Sequence, residues 1–463
     1  MILAALNLDP HPDLTSSVIV GLGWWYFILF LMNLGWSCRS FKAGGMTRLP
    51  DILGGMKVPT AAFWFGYSAL LLMVSGAHLT GSRNPDDFSM ILPQQIRTLI
   101  DALLSNPTSY FMLAVAGFVA VILLRKFLVK PTVAWIILNF ALIFMAFSMT
   151  DYDFRQIVGK PDNVPIVSML FIVGFFTWLY FKRAVDNDRR IEEGRELFEK
   201  EDNEKILVWP DLVYTELICM ILCTVILVAW GLLLQAPLEE PSSSVKTPNP
   251  SKAPWYFLGL QEMLVYFDPW LAGVVFPSMI LVGLMAIPYI DFNKKGNGYY
   301  TFNERKFAVI TFMFGFMPMW IAMIILGTFL RGPNWNFFGI YEFWDVHKLE
   351  ALTNVNLSEF VWDQGFKTGL PKAPAGAGGL TNVLYILYRE SAGFVVLLFY
   401  FGVMPFVLAA TILKKFFYRM GFIRYMVFSN LLLLMAALPI KMILRWSINL
   451  KYIVAIPEWF LNV

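Results

Sequence analysis

Charged residues are scarce in this sequence. Asp, Glu, Lys and Arg make up 15% of its 463 residues, whereas hydrophobic residues make up 58%. A soluble globular domain has about 25% charged residues. The formal net charge of +3 is small, so there is no strongly basic surface for nucleic acid. The composition therefore excludes an ordinary soluble protein and a nucleic-acid-binding protein, and it favours a membrane protein.

Cysteine is also rare, with three residues. Cys219 and Cys223 are one helical turn apart, and Cys38 is far from them in the sequence. No second pair and no nearby histidine completes a metal site. We therefore expect the cysteines to be small buried apolar side chains.

Histidine is equally rare, and the three residues are His11, His78 and His347. A transmembrane b-type haem needs two histidines from facing helices, and only His78 lies in an apolar segment. No Cys-x-x-Cys-His motif for a c-type haem is present. We therefore expect this chain to bind no haem of its own. His78 is expected to pack or to hydrogen-bond, with the single ligand of a partner's cofactor as the alternative.

Apolar runs of about 20 residues, long enough to cross a bilayer, recur along the chain. Strict alternation of period two is absent, which argues against a membrane β-barrel. The sequence therefore predicts an all-α polytopic membrane protein with ten membrane helices. Their approximate ranges are 15–37, 57–80, 109–128, 131–150, 163–182, 212–234, 270–290, 306–329, 391–413 and 422–440.

Lysine and arginine are concentrated in alternate connections between these segments. The positive-inside rule places such connections in the cytoplasm. Both termini and the loop at 235–269 are then predicted on the outer, periplasmic side. The cations are Arg39, Lys42, Arg48 and Lys57; Arg125, Lys126 and Lys130; Lys294, Lys295, Arg305 and Lys306; and Lys414, Lys415, Arg419 and Arg424.

The start of the chain, "MILAALNLDPHPDLTSS", has no basic segment and contains Pro10 and Pro12. This differs from a cleavable signal peptide. We expect the first helix to insert uncleaved, into the cytoplasmic (inner) membrane of a bacterium.

Composition divides the chain into five parts. An outer insert of about 60 residues is long for a simple connection and suggests contact with another subunit. No internal repeat is apparent, which disfavours a transporter built from inverted halves. The predicted parts are a five-helix domain (1–183), a charged cytoplasmic linker (184–211), a three-helix domain (212–332), the outer insert (333–390), and two closing helices with a tail (391–463).

The stretch "KAPWYFLGLQEMLVYF" (252–267) holds a carboxylate, Glu262, in an apolar run. We predict a short helix on the membrane surface. Trp255 and Glu262 are seven residues apart, so they share a helical face. A carboxylate with one apolar side suits proton pick-up from a hydroquinone. The alternative is an interfacial helix with an aromatic anchor and a solvated glutamate.

Three motifs occur in a recognisable order: "WPDLVY" (209–214), "APWYFLGLQEMLVYFDPWLAGV" (253–274) and "IPYIDFNKKGN" (287–297). With them, residues 205–331 resemble the C-terminal part of cytochrome b, most closely subunit IV of cytochrome bf-type complexes. The resemblance implies quinol oxidation on the outer side of the membrane. It also implies partners that carry the redox groups: a haem-bearing cytochrome b, a Rieske-type iron–sulfur protein and c-type cytochromes.

The family's Pro-Glu-Trp-Tyr motif is altered here. Trp255 and Tyr256 match its aromatic pair, but Ala253 and Pro254 stand at its proline and glutamate. Glu262 is the nearest substitute and is predicted to be the proton acceptor. Such departures are associated in this family with low-potential quinones, so menaquinol is favoured. The predicted quinol-binding residues are Pro254, Trp255, Tyr256, Phe257 and Met263.

Two further carboxylate positions draw attention. Glu216 lies in the cytoplasmic half of the sixth segment, where an intramembrane carboxylate indicates function, and Asp211 directly precedes that segment. They are predicted to form a cytoplasmic-side polar site, and a hydrogen bond to a neighbouring helix is the alternative for Glu216. The C-terminal "PEWF" (457–460) is closer in letters to the family motif but follows the last helix. We interpret it as an interfacial tail on the outer side.

The first five segments match no family pattern, and with one histidine they do not form a haem-bearing half. Two other functions stay open. A structural membrane scaffold with a vestigial quinone site is favoured by the missing motif glutamate. A transporter or proton channel is disfavoured because little charge is buried in the membrane segments.

Overall fold

Ten helices of the described chain are long and apolar enough to cross a membrane. They coincide with the ten predicted segments, which confirms an all-α polytopic membrane protein. His11, Pro10, Pro12 and Lys295 lie outside the described residues. The computed structural model describes residues 14–48, 57–81, 84, 90–234, 236, 238, 241–294, 298–350 and 352–463.

The helices are labelled in chain order, except for the single turn Leu357–Glu359, and six labelled short ones connect or flank the membrane-spanning ones. Two antiparallel strand pairs are also present, β1–β2 and β3–β4. The strands are β1 Met46–Arg48, β2 Lys57–Pro59, β3 Ala455–Ile456 and β4 Leu461–Asn462. The membrane-spanning helices are α1 Ser16–Ala43, α2 Thr60–Thr80, α4 Pro107–Leu128, α5 Pro131–Ser148, α7 Val164–Glu192, α9 Val208–Leu233, α11 Leu271–Ile290, α12 Lys306–Leu330, α14 Ser391–Ala410 and α16 Phe422–Ile448. The short helices are α3 Gln94–Leu104, α6 Tyr152–Val158, α8 Phe198–Glu201, α10 Trp255–Met263, α13 Gly379–Arg389 and α15 Lys414–Met420.

The connections gather at two ends of the bundle. At one end, the Asn249 amide donates to Asn334, and Asp101 accepts from the Tyr341 backbone N–H. We call this the motif end, because α10 lies there. At the other end, which we call the basic end, Arg305 pairs with Asp291. The predicted basic residues Arg305, Lys306, Lys415 and Arg419 lie together at the basic end.

Polar side chains bind the N-terminal helices to one another. Asn33 of α1 donates to Asn139 of α5 at 2.6 Å, and Trp135 donates to Asn33 at 3.0 Å. Both asparagines are buried. Hydrogen bonds between membrane helices satisfy groups that lipid cannot, so these residues fix the register of α1 against α5. His78 of α2 is buried and hydrogen-bonds the Val74 carbonyl, as a packed histidine is expected to do.

The longest departure from the predicted boundaries is in α7, which continues ten residues past residue 182, to Glu192. Its charged extension serves as a docking point at the basic end. Asp188 accepts from the backbone N–H groups of Phe302 and Asn303, and Asn187 donates to the Tyr300 carbonyl. The predicted charged linker therefore begins as a continuation of α7.

The helix α9 differs from the other membrane helices. None of its residues is buried, and it packs closely against no other described element. Cys219 and Cys223 on α9 are exposed, as is Cys38 on α1. The prediction of buried cysteines is wrong, because the helix that carries two of them presents every face outward.

Candidate functional site

The surface helix α10 starts after Pro254 and runs to Met263. The loop before it is held by Gln261, whose amide accepts from the Ala253 backbone N–H and donates to the Ser251 carbonyl. Gln261 thereby holds the loop against α10, in a segment where the prolines have no backbone N–H to donate. The predicted short helix is therefore present, and its buried residues are Leu258, Gly259, Glu262 and Met263.

Glu262 is fully buried, and it forms an ion pair with Arg331, which is itself 5% exposed. Arg331 Nη2 donates to Glu262 Oε1 at 2.6 Å, and Nε donates to Oε2 at 3.0 Å. This two-bond arrangement is the strong form of an arginine–carboxylate contact. It joins α10 to the end of α12. The alternative prediction of a solvated glutamate is wrong, because Arg331 supplies the partner that makes burial tolerable.

Three further groups contact this pair. Arg331 Nη1 donates to the Trp335 carbonyl at 2.6 Å, and the guanidinium lies 3.7 Å from the ring centroid of Phe337. The Tyr266 hydroxyl donates to Glu262 Oε1 at 3.3 Å. Burial, and then the nearby carboxylate, raise the pKa of Tyr266 well above its usual value. Tyr266 therefore stays neutral and can donate.

Lys252 is a second charged group of the motif end, ahead of α10. Its Nζ donates to the Thr328 carbonyl at 2.8 Å and lies 4.7 Å from the ring centroid of Trp344. Within the described chain, the amine forms no ion pair. Burial, and then neighbouring cations, lower the pKa of Lys252 to about 7. This amine therefore exchanges protons near neutral pH.

The predicted quinol-binding residues divide between the two faces of α10. Tyr256 and Phe257 are 50% and 52% exposed, and their ring centroids are 4.8 Å apart. Trp255 is half-buried against the aromatic and aliphatic side chains around Phe329. Pro254 is exposed, and Met263 is buried in the core. Trp255 and Glu262 thus both turn inward, as their spacing predicts, while Tyr256 and Phe257 face outward.

The C-terminal tail reaches the same end of the bundle. Trp270, at the start of α11, donates to the Asn462 carbonyl at 3.0 Å. Glu458 of the "PEWF" sequence forms a two-bond ion pair with Arg389. The Arg389 guanidinium lowers the pKa of Glu458. The carboxylate is therefore held ionised and ties the tail to the end of α13. Phe460 is 86% exposed, as suits an interfacial anchor.

Asp211 and Glu216 are exposed on α9. The Asp211 backbone carbonyl accepts from the Thr215 hydroxyl within the helix. Within the described chain, Glu216 has no hydrogen-bond or ion-pair partner on a neighbouring helix. A polar site at these residues would therefore have to be completed from outside the described residues.

Fold and site together define a polytopic membrane protein in which a buried ion pair holds a short surface helix between two membrane helices. Residues 241–342 match the family model described as cytochrome b (C-terminal)/b6/petD. This confirms the predicted resemblance over these residues, which make up about a fifth of the chain. The match covers α10, α11, α12 and Arg331, and it begins after α9 and "WPDLVY". No solved structure matches the chain.

Two residues of the site were not predicted from the sequence, Arg331 and Lys252. Arg331 ends an apolar segment and is followed by Gly332 and Pro333, so it reads as an ordinary membrane-end cation. One signal in the sequence could have found Arg331. A buried glutamate needs a cation, and Arg331 is the charged residue closest to the end of α12.

Proposed function

We propose that this chain is a haem-free, subunit IV-like component of a bc-type quinol:cytochrome c oxidoreductase, and that α10 shapes its outer-side quinol-oxidation site. One observation carries the proposal. The family match encloses both the aromatic surface helix and Arg331, the residue that locks it to α12. The site therefore has the rigid support that a binding surface needs.

In this proposal the quinol ring contacts the exposed aromatic face of α10, Tyr256 and Phe257, with Trp255 at its inner edge. Aromatic side chains bind a flat ring by offset or edge contacts. Oxidation of the quinol releases two electrons and two protons. The electrons pass to a b haem and an iron–sulfur cluster on partner subunits, and the departure from the motif favours menaquinol.

Glu262 is the proposed proton acceptor. Its carboxylate lies on the inward face of α10 with Trp255, opposite Tyr256 and Phe257, and is held by Arg331. In this proposal the reacting hydroxyl of the quinol therefore enters on the Trp255 side. Proton transfer to it requires the guanidinium to shift off one oxygen, because both carboxylate oxygens accept hydrogen bonds from Arg331. Tyr266, which donates to the same oxygen as Arg331 Nη2, would keep that oxygen hydrogen-bonded during such a shift.

The burial of Glu262 favours a second function as well, a structural scaffold with a vestigial quinone site. A fully buried carboxylate with two guanidinium bonds is an effective clamp between α10 and α12. On this alternative, the ion pair serves only to hold the surface helix in place.

The exposure of α9 supports the proposal of a partner subunit. This helix is apolar and exposed on all sides, and it carries Glu216 about nine residues from its start. A charged side chain in a membrane segment is expected to face protein or water and not lipid. We propose that the haem-bearing cytochrome b subunit packs against α9 and supplies a donor to Glu216.

A double variant tests the proton-acceptor role of Glu262. Glu262→Gln together with Arg331→Gln removes both charges and leaves two amides that hydrogen-bond each other, so neither partner is left as a buried unpaired charge. The measurement is quinol-dependent cytochrome c reduction by the purified complex. If Glu262 accepts the proton, the rate falls by about 100-fold or more. The matched control is Glu390→Gln, which neutralises another buried, arginine-paired carboxylate of this end.

An unchanged rate in the double variant would refute the proton-acceptor role and favour the scaffold. The quinol site itself is tested separately by Tyr256→Ala with Phe257→Ala. Because both side chains are half exposed, the fold should survive. We expect a raised KM for quinol, and an unaltered KM would contradict binding at α10.

A further inference from the structure

A large cleft opens at the basic end, opposite α10. Its volume is about 1610 Å³, whereas pockets for drug-sized ligands measure about 300–1,000 Å³. Its walls come from α7, α11, α12, α15 and α16 and from the connection between α11 and α12. None of the predicted site residues lines it, so the cleft is separate from the proposed quinol site.

The walls of this cleft are apolar and rich in phenylalanine. Phe307 and Phe416 have ring centroids 4.6 Å apart, and Phe416 and Phe428 are 5.4 Å apart. Further along, Phe176 of α7 and Phe312 of α12 are 59% and 66% exposed. Large aromatic side chains that line an open cleft between membrane helices suit acyl chains, because flexible hydrocarbon fills an irregular apolar space.

The mouth of the cleft carries positively charged side chains. Arg305 is neutralised by Asp291 at 2.8 Å. In the described part of the chain, Lys306, Lys415 and Arg419 form no ion pair. Lys415 and Arg419 are four residues apart in α15, so they lie on one helical face, and both line the cleft.

We propose that this cleft binds an anionic phospholipid, with its phosphate at Lys415 and Arg419 and its acyl chains along the phenylalanine walls. Basic pockets between membrane helices bind anionic headgroups, and guanidinium groups bind phosphate through charge-assisted hydrogen bonds. A quinone carries no charge that would use these cations. Inorganic phosphate would make no use of the apolar walls.

The test compares lipid retention by the full chain, purified with its bound subunits. The protein is placed in nanodiscs of phosphatidylcholine with a minor fraction of phosphatidylglycerol, and native mass spectrometry counts the retained lipids. We expect retained phosphatidylglycerol in the wild type and a loss of about tenfold or more in Lys415→Gln with Arg419→Gln. The matched control, Lys414→Gln with Arg424→Gln, removes the same charge from exposed residues that do not line the cleft, and it should retain the lipid.

Three outcomes would overturn the proposal: equal retention in both double variants, equal retention of phosphatidylcholine and phosphatidylglycerol, or a quinone in the cleft in place of a lipid. Displacement of the retained mass by inorganic phosphate alone would also overturn it, since the proposed ligand includes acyl chains. If the double variant does not purify, the single variants Lys415→Gln and Arg419→Gln give the same comparison with a smaller loss.

Discussion

At the scale of single residues, the Glu262–Arg331 pair is the most deeply buried ion pair of the described chain. Substitution of Arg331 by Met leaves the fully buried Glu262 without its cation. We expect the free energy of unfolding to fall by about 3–5 kcal/mol, measured by thermal unfolding in detergent.

The control for this prediction is Arg195→Met, which breaks the pair of Arg195 with Glu193. Both side chains of that pair are about half exposed, and such surface pairs contribute about 0–1 kcal/mol. Equal losses in the two variants would contradict a special role of the buried pair.

Lys252 gives the second prediction at this scale. Its pKa is about 7 in the folded protein, below the usual 10.5. Between these values the unfolded chain binds more protons than the folded one, so the free energy of unfolding rises with pH across this window. Lys252→Met should flatten that rise, as seen in thermal unfolding at several pH values from 7 upward. Lys372→Met, on the exposed insert, should keep it.

The sequence predicts part of this residue-scale chemistry. The spacing of Trp255 and Glu262 indicates a shared face, and both residues turn inward in the structure. The spacing does not say what Glu262 meets there. Arg331 is 69 residues away in sequence, and only the packing of α12 against α10 brings the two together.

At the scale of elements, the exposure of α9 leads us to predict that a partner subunit packs against it. Glu216→Leu removes a carboxylate that contacts no neighbouring helix within the described chain, so the stability of the isolated chain should not change. If a partner subunit donates to Glu216, loss of that contact costs about 2–5 kcal/mol of binding. Co-purification of the proposed haem-bearing subunit should then fall by about 30-fold or more.

The control is Thr224→Leu on the same helix. The Thr224 hydroxyl donates to the Met220 carbonyl within α9, so its loss should leave the complex intact. Retention of the partner by the Glu216 variant would contradict the proposed contact.

Element positions follow well from the apolar runs, because a bilayer-spanning helix must be apolar along most of its length. The ends of the helices are predicted less accurately from the sequence. The helix α7 extends to Glu192 because its charged end binds the 298–305 connection, and this contact has no signature in local composition. The same holds for α16, which continues to Ile448, where Arg445 donates to the Thr353 and Asn449 carbonyls.

At the scale of the whole molecule, the ten helices separate a motif end from a basic end. The positive-inside rule predicts that the basic end faces the cytoplasm. Two cysteine substitutions test this orientation in intact cells: Ser243→Cys at the motif end and Asp202→Cys at the basic end, both at exposed positions. A membrane-impermeant maleimide should label the first in intact cells and the second only after lysis.

Labelling of Asp202→Cys in intact cells would reverse the orientation and place α10 on the cytoplasmic side. The proposed outer-side quinol site would then fail together with the topology. The number of crossings was predictable from the sequence, but the arrangement of the helices was not. Contacts such as Asn33 with Asn139 depend on which helices become neighbours.

The exposure of α9 has a consequence for biogenesis. A membrane helix that packs closely against no other described part of its chain leaves a large apolar surface and two carboxylates, Asp211 and Glu216, uncovered until assembly is complete. Surveillance proteases of the membrane act on such orphan segments. We therefore expect the cellular lifetime of this protein to follow the supply of its partner, so that the stoichiometry of the complex is set after synthesis by removal of unassembled chains.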